Sequence, residues 1–160
     1  MSAEYRVRAA SLADADVLVH HRTAMFTDMG LSIDADALGR AFRAWLADTM
    51  RSGSYKAWVV ETRAGSVVAG AGISILPWPP GPRSLGTQLA FVYNVYVEPE
   101  HRRRGVARRI MDAIHDYCRG HGIGSVALNA SRDGKELYDA IGYVVAPNPM
   151  MVYSVKSDRV

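Results

Sequence analysis

The chain of 160 residues contains a single cysteine, Cys118. One cysteine excludes an internal disulfide framework. On an apolar helical face it reads as a small core residue, as expected in a reducing compartment. No apolar run is long enough to cross a bilayer, and the opening "MSAEYRVRAA" lacks an apolar signal core, so the expected location is cytoplasmic, without a membrane partner. His20, His21, His115 and His121 show no paired ligand spacing with a cysteine or carboxylate. They read as surface histidines, and no metal is expected. Repeats and low-complexity tracts are absent. Net charge is also scarce, at +3, which gives no support to a general polyanion partner. With 49% apolar residues, the chain has enough hydrophobic surface for one core and one domain, residues 1–160.

The patterning predicts an α/β fold. "YRVRAA" alternates as a strand, and Ser11 with Asp14 forms a capping-box signal. A helical stripe follows through Leu12, Ala15, Leu18, Arg22, Met25, Phe26 and Met29 to a stop at Gly30, with the stem of Arg22 packed and its head free. A second helix starts near Asp34 and carries Leu38, Ala41, Phe42, Trp45, Leu46, Thr49 and Met50 on one face until Ser52 and Gly53. "YKAWVVET", "RAGS" and "VVAGAGISIL" read as a hairpin, and the proline-rich "PWPPGPRSLG" as a loop. "QLAFVYNVYVEP" is a longer strand, "SVALNAS" another, and "GKELYDAIG" a short helix. "YVV" and "MMVYSV" suggest two more short strands. A strand–helix–strand unit over Phe91 to Ala130 should be locally parallel, making the sheet mixed.

The charge that is present is concentrated. "VEPEHRRRGVARRIMDAIHDYC", Val97 to Cys118, places five arginines in the first half of a helix whose buried stripe is Val106, Ile110, Met111, Ile114, Tyr117 and Cys118. A helix N-terminus already carries positive partial charge and unpaired N–H groups, so arginines there destabilise it unless an anion binds. Within this run, Arg102-Arg103-Arg104-Gly105-Val106-Ala107 has the form R-x-x-G-x-A. Successive N–H groups that converge on two phosphates need a residue without a side chain at the tight point and a small one at the closest approach. Gly105 and Ala107 meet those needs.

At these residues the chain resembles the GCN5-related N-acetyltransferases (GNAT), whose acetyl-CoA pyrophosphate loop is Q/R-x-x-G-x-G/A between a strand and a helix. The resemblance runs from about Tyr93 to Tyr143. "NVYVEPEHRRRGVARRIM" is similar to the family's fourth strand and third helix, and "LYDAIGY" to its "LYEKLGF" signature. It implies a GNAT-like fold: a mixed, mostly antiparallel sheet with a splayed parallel strand pair, flanked by about four helices. It also implies an acyl-CoA-dependent N-acetyltransferase with acetyl-CoA as co-substrate, a small-molecule primary amine as acceptor, and a homodimer as a family expectation.

Carried over by position, the resemblance implies that the backbone of Val95, Tyr96 and Val97 pairs with the pantetheine arm and stabilises the thioester oxyanion. Arg103, Arg104, Gly105, Val106, Ala107 and Arg108 then form the pyrophosphate cradle, with Arg102 orienting it. Tyr138 aligns with the tyrosine that protonates the departing thiolate, a role suited to a phenol protonated at neutral pH. Many members have a cofactor-binding asparagine where this chain has Ser131. Here Asn129 or Ser131 is expected to replace it.

No residue identifies itself as the base. Asn94, Tyr93, Tyr96 and Glu98 are the nearby candidates; by alternation Tyr96 shares a face with Asn94 and Glu98, and Tyr93 with Val95 and Val97. Asn94 is an amide and suits orienting water or substrate. Asp28, Asp34 and Asp36 offer charge to a cationic amine or form a solvated face. Arg109 reads as a surface cation. Protein N-terminal or lysine acetylation is the alternative acceptor chemistry. In another class stand an inactive CoA-binding module and a nucleic-acid-binding module, the latter disfavoured because no reading helix or aromatic platform accompanies the arginines. "GHGIG" follows a helix and precedes a strand, the reverse of a dinucleotide-binding turn.

Overall fold

The protein is described as a computed structural model over residues 4–155. The first strand, β1 (Tyr5–Ala9), leads into a 3-10 turn at Leu12–Asp14 with the expected capping box. Ser11 Oγ accepts from the Ala13 N–H at 3.2 Å, and Asp14 Oδ2 accepts from the Ser11 N–H at 2.8 Å. Arg8 clamps this corner by pairing with both Asp14 and Glu61. Helix α1 (Ala15–Asp28) ends at Gly30, which has φ 79°. Helix α2 (Ala35–Ser52) is opened by Asp34, whose side chain accepts from the Ala37 N–H at 2.9 Å, and closed by Gly53 at φ 77°. Asp34→Ala should therefore cost about 1 kcal/mol in denaturant unfolding, and Asp34→Asn should recover most of it. Equal loss in both variants would show that the cap bond is not what Asp34 supplies.

Strands β2 (Tyr55–Thr62), β3 (Val67–Pro77) and β4 (Gln88–Val97) continue the sheet, and β5 (Val126–Leu128) ends it, in the order β1-β2-β3-β4-β5. The first four pair antiparallel, whereas β5 runs parallel to β4 and meets it only at Ala90, Phe91 and Val92. Beyond Val92, β4 therefore has no paired residue on that side. This gives the expected splayed parallel pair.

One sheet face carries Tyr55, Ala57 and Val59 against Leu18 of α1 and Phe42 and Leu46 of α2. The other receives helix α3 (Val106–Gly120), whose Val106, Ile110, Met111, Ile114 and Cys118 are all buried. Leaving water is what holds this helix to the sheet, at roughly 1.5–3 kcal/mol for each large apolar side chain. The described residues form two compact units, one up to Leu128 and one from Asn129 onward. The second unit contains helix α4 (Lys135–Ala140), followed by Gly142 at φ 99°.

Neither "YVV" nor "MMVYSV" is a strand in the structure. A strand is defined by its partner, and alternation alone supplies none. Pro147 and Pro149 remove two donors between these segments. The side chains of "MMVYSV" are exposed, Met151 by 89% and Tyr153 by 88%.

Candidate functional site

The centre of β4 is irregular. Tyr93 pairs with Gly72 and Tyr96 with Gly70, so two β4 residues, Asn94 and Val95, stand opposite the single Ala71. This is a β-bulge, and Asn94 takes φ 61°, which asparagine tolerates better than most residues. The extra residue corrects the expected alternation. Tyr93 packs against the α1–α2 core, and its neighbour Asn94 also points to that side, as do Tyr96 and Glu98. Asn94 and Val95 thus have no register partner on β3 and lie past the last residue paired with β5.

Asn94 joins two side chains that the sequence reading did not connect. Its Nδ2 donates to Tyr55 Oη at 3.0 Å, and its Oδ1 accepts from Arg22 Nη1. The Arg22 guanidinium lies 5.0 Å from the ring centres of both Phe26 and Phe42. Its head is therefore held rather than free, correcting the expectation; the signal was a cation inside an apolar helical stripe. Burial lowers the Arg22 pKa and pushes that of Tyr55 up to about 12, so at neutral pH Tyr55 is a neutral phenol and not a base. Tyr55 has room because Gly72 has no side chain: a Cβ there would stand 2.0 Å from Tyr55 Oη.

At the end of β4, His21 corrects the surface reading of the histidines. It is 1% exposed and lies over Gly70 and beside Tyr96, with ring centroids 5.2 Å apart. His20 is the exposed member and meets Glu98 Oε1 at 2.7 Å. Among the described residues no cluster of three potential metal ligands occurs.

The Glu98 N–H donates to Val68 O of β3, and the antiparallel alternation then gives the main chain of Tyr96 to Gly70. Of the three backbone positions expected to meet the pantetheine arm, Tyr96 is thus turned toward β3. The Val97 carbonyl accepts from Arg102 Nε at 2.8 Å, and Arg102 Nη2 reaches Asp28 at 2.6 Å. The Arg102 guanidinium also lies 5.4 Å from the Tyr96 ring centre. Arg102 therefore ties the end of β4 to α1, with its charge paired.

The following residues form a concave run of donors. Arg103 (φ 61°) and Gly105 (φ 75°) are both left-handed, and Gly105 caps α3. The N–H groups of residues 103 to 108 make no backbone hydrogen bond among the described residues. Arg103, Arg104 and Arg108 are exposed around them, and Arg104 alone of the three forms an ion pair, with Glu4 at 3.4 Å. Unpaired N–H groups, the helix dipole and surplus cations fit a pyrophosphate. Arg109 differs from its solvated reading: it is half-buried and donates to the Tyr5 carbonyl.

In the second unit, Asn129 is exposed, and Ser131 Oγ accepts from the Gly134 N–H at 3.1 Å, opening α4. Tyr138 is buried, edge-on to Tyr143 with centroids 5.7 Å apart, and burial raises its pKa. Its ring lies over Gly134, where a Cβ would be 3.0 Å away.

The sequence model of the Acetyltransferase (GNAT) family matches residues 18–143. No curated protein sequence matches the chain significantly. Among solved structures, a GCN5-related N-acetyltransferase from Ralstonia eutropha JMP134 is similar at 29% identity and TM-score 0.85, covering 93% of this chain and 98% of that one. A predicted acetyltransferase from Clostridium acetobutylicum, solved with acetyl-CoA, shares 22% identity at TM-score 0.80 over 93% and 96%. A ribosomal-protein-alanine N-acetyltransferase from Brucella melitensis biovar Abortus 2308 shares 19% at TM-score 0.71 over 94% and 99%. The last two speak for the fold alone. Together with the bulged, splayed β4 and the donor-rich turn into α3, the family match shows that this chain belongs to the GNAT family and is an acyl-CoA-dependent acetyltransferase.

Proposed function

We propose that the chain, acting as one domain over residues 1–160, transfers acetyl from acetyl-CoA directly to a primary amine of a small molecule. The observation that carries this reading is the run of six backbone N–H groups at residues 103 to 108, free of backbone partners among the described residues and ringed by Arg103, Arg104 and Arg108. There the main chain and the α3 dipole hold the two phosphates, with Gly105 and Ala107 allowing close approach. Asn94 and Val95, unpaired at the bulge, supply main-chain groups for an extended amide-bearing arm and its carbonyl oxygen. When bound, the thioester supplies an acyl group activated toward amines.

The neutral acceptor amine attacks that carbonyl, the C–S bond breaks as the amide forms, Tyr138 Oη gives its proton to the departing thiolate, and the proton lost from nitrogen returns to the Tyr138 phenolate through solvent. Burial suits Tyr138 to this task, since a raised pKa keeps the phenol protonated at neutral pH. Asn129 and Ser131 remain cofactor-contact assignments by resemblance, Ser131 through the face of its hydroxyl not used by Gly134. Calorimetry with acetyl-CoA, followed by thiol release over a panel of amines, tests the reading. Binding and amine-dependent release are expected; absence of acetyl-CoA binding overturns it, and release only with peptides moves the acceptor to protein. Tyr138→Phe should lower kcat about 100-fold with little change in the KM for acetyl-CoA, as removal of a general acid does. An unaltered kcat would remove Tyr138 from the mechanism.

A further inference from the structure

The arginines that pair with carboxylates here, Arg6, Arg8, Arg43, Arg102, Arg104 and Arg119, do so near the surface. Arg22 reverses this. It is half-buried between α1 and the β4 bulge, and among the described residues no carboxylate pairs with it. The titratable groups that bear on it are the phenols of Tyr55 and Tyr93, and Tyr55 is uncharged at neutral pH. A guanidinium has five N–H donors in a planar fork. Asn94 Oδ1 takes one of them, and the unpartnered nitrogens of Arg22 are not among the buried unsatisfied atoms, so they reach solvent. Phe26 and Phe42 fix the stem and plane of the fork. The result is a cation held by two rings and bonded to Asn94 at the bulge, with N–H donors left over.

Two of the three acidic residues that offered charge to a cationic acceptor are otherwise engaged. Asp28 pairs with Arg102, and Asp34 caps α2. Leaving a charge partly desolvated without a counter-ion is unfavourable, and a bidentate oxyanion is the partner that best offsets it. We propose that Arg22 is a specificity-determining residue that binds a carboxylate or phosphate group carried by the amine acceptor. This rests on the reading of the β4 bulge as the place of acetyl transfer. The acceptor class is then an amine bearing an oxyanion, with the anion on Arg22 and the amine directed to the bulge.

The test uses the full chain with saturating acetyl-CoA and three acceptors of equal chain length: an alkylamine, the ω-amino carboxylic acid and the ω-aminoalkyl phosphate. One or both anionic amines should exceed the neutral one in kcat/KM by about 10- to 100-fold, the range of a hydrogen bond to a charged group. The larger ratio identifies the anion. Arg22→Met should bring the ratio toward one. Asn94→Asp keeps Arg22 in place but gives it an internal carboxylate, so it should reduce the ratio even if Arg22→Met folds poorly. Equal use of the three acceptors, or a ratio preserved in a folded variant, overturns the inference. Calorimetry separates this from the parent reading: if acetyl-CoA binds while anionic amines are not preferred, only the Arg22 assignment falls.

Discussion

Gly72→Ala should destabilise the fold by about 2–4 kcal/mol, although it adds one methyl group. The new Cβ would stand 2.0 Å from Tyr55 Oη, 2.2 Å from Cζ and 2.7 Å from Cε2. Those atoms belong to a phenol buried beneath Trp45 and bonded to Asn94, so the ring cannot swing aside without breaking both. Overpacking of a core commonly costs 1–3 kcal/mol, and the lost Tyr55–Asn94 bond adds about 1 kcal/mol more. Gly120→Ala is the control, since nothing stands within 4 Å of its Cβ position. It should melt within about 0.5 kcal/mol of the wild type. Combining Gly72→Ala with Tyr55→Ala should be little worse than Tyr55→Ala alone, because the clash has then lost one partner. A Gly72→Ala protein as stable as the control, or strict additivity in the double variant, would show that the ring accommodates the methyl. The consequence reaches the site: a displaced Tyr55 releases Asn94, and with it the hydrogen bond that orients Arg22.

These contacts explain which features could be read from the chain alone. Ser11 with Asp14, Asp34, Gly30, Gly53 and the Arg102–Ala107 loop all act within a few residues of themselves, so short spacing carries their meaning. The stripes of α2 and α3 were legible for the same reason. Features that depend on distant partners were not. The bulge at Asn94 leaves no compositional mark in "FVYNVYV", yet it brings Tyr93 onto the face that Tyr96 shares with the asparagine. Arg22 and Asn94 are 72 positions apart, and Tyr55 and Asn94 are 39. Gly70 and Gly72 look like ordinary small residues in a strand until His21 and Tyr55 are placed above them. At the other extreme, "MMVYSV" has strand alternation without a strand. The five-arginine run also divides only in three dimensions: Arg102 and Arg109 are tied to the fold, while Arg103 and Arg108 are exposed beside the turn into α3.

The pair His20-His21 leads to the second large effect. Adjacent in sequence, the two differ because helix geometry sends one outward and the other onto Gly70. His20 Nε2 holds Glu98 Oε1 at 2.7 Å, whereas His21 Nε2 is 3.7 Å from the same oxygen and neither of its ring nitrogens has a hydrogen-bond partner among the described residues. Burial, with a smaller contribution from charge on His20, pushes the His21 pKa from 6.5 down to about 4. The unfolded chain therefore takes up a proton near pH 6.5 that the folded chain refuses until about pH 4. Folding stability from this group is complete above pH 6.5 and declines as the pH falls toward 4, by about 3 kcal/mol over the window. Asp14 and Glu61, held below the ordinary carboxylate range by arginines, also destabilise the fold on acidification, but only below their unfolded values of 3.8 and 4.5. Urea unfolding at pH 7.0, 5.5 and 4.5 thus isolates the histidine when the wild type is compared with His21→Leu. The wild type should lose stability progressively relative to the variant across these three values, and the other titrating groups cancel in the difference. A constant difference would mean that burial leaves the His21 pKa unshifted, and a wild type that gains stability relative to the variant as the pH falls would mean that His21 is protonated in the fold, with Glu98 as its counter-ion. In that event the end of β4 carries a buried ion pair in place of a neutral ring stacked on Tyr96.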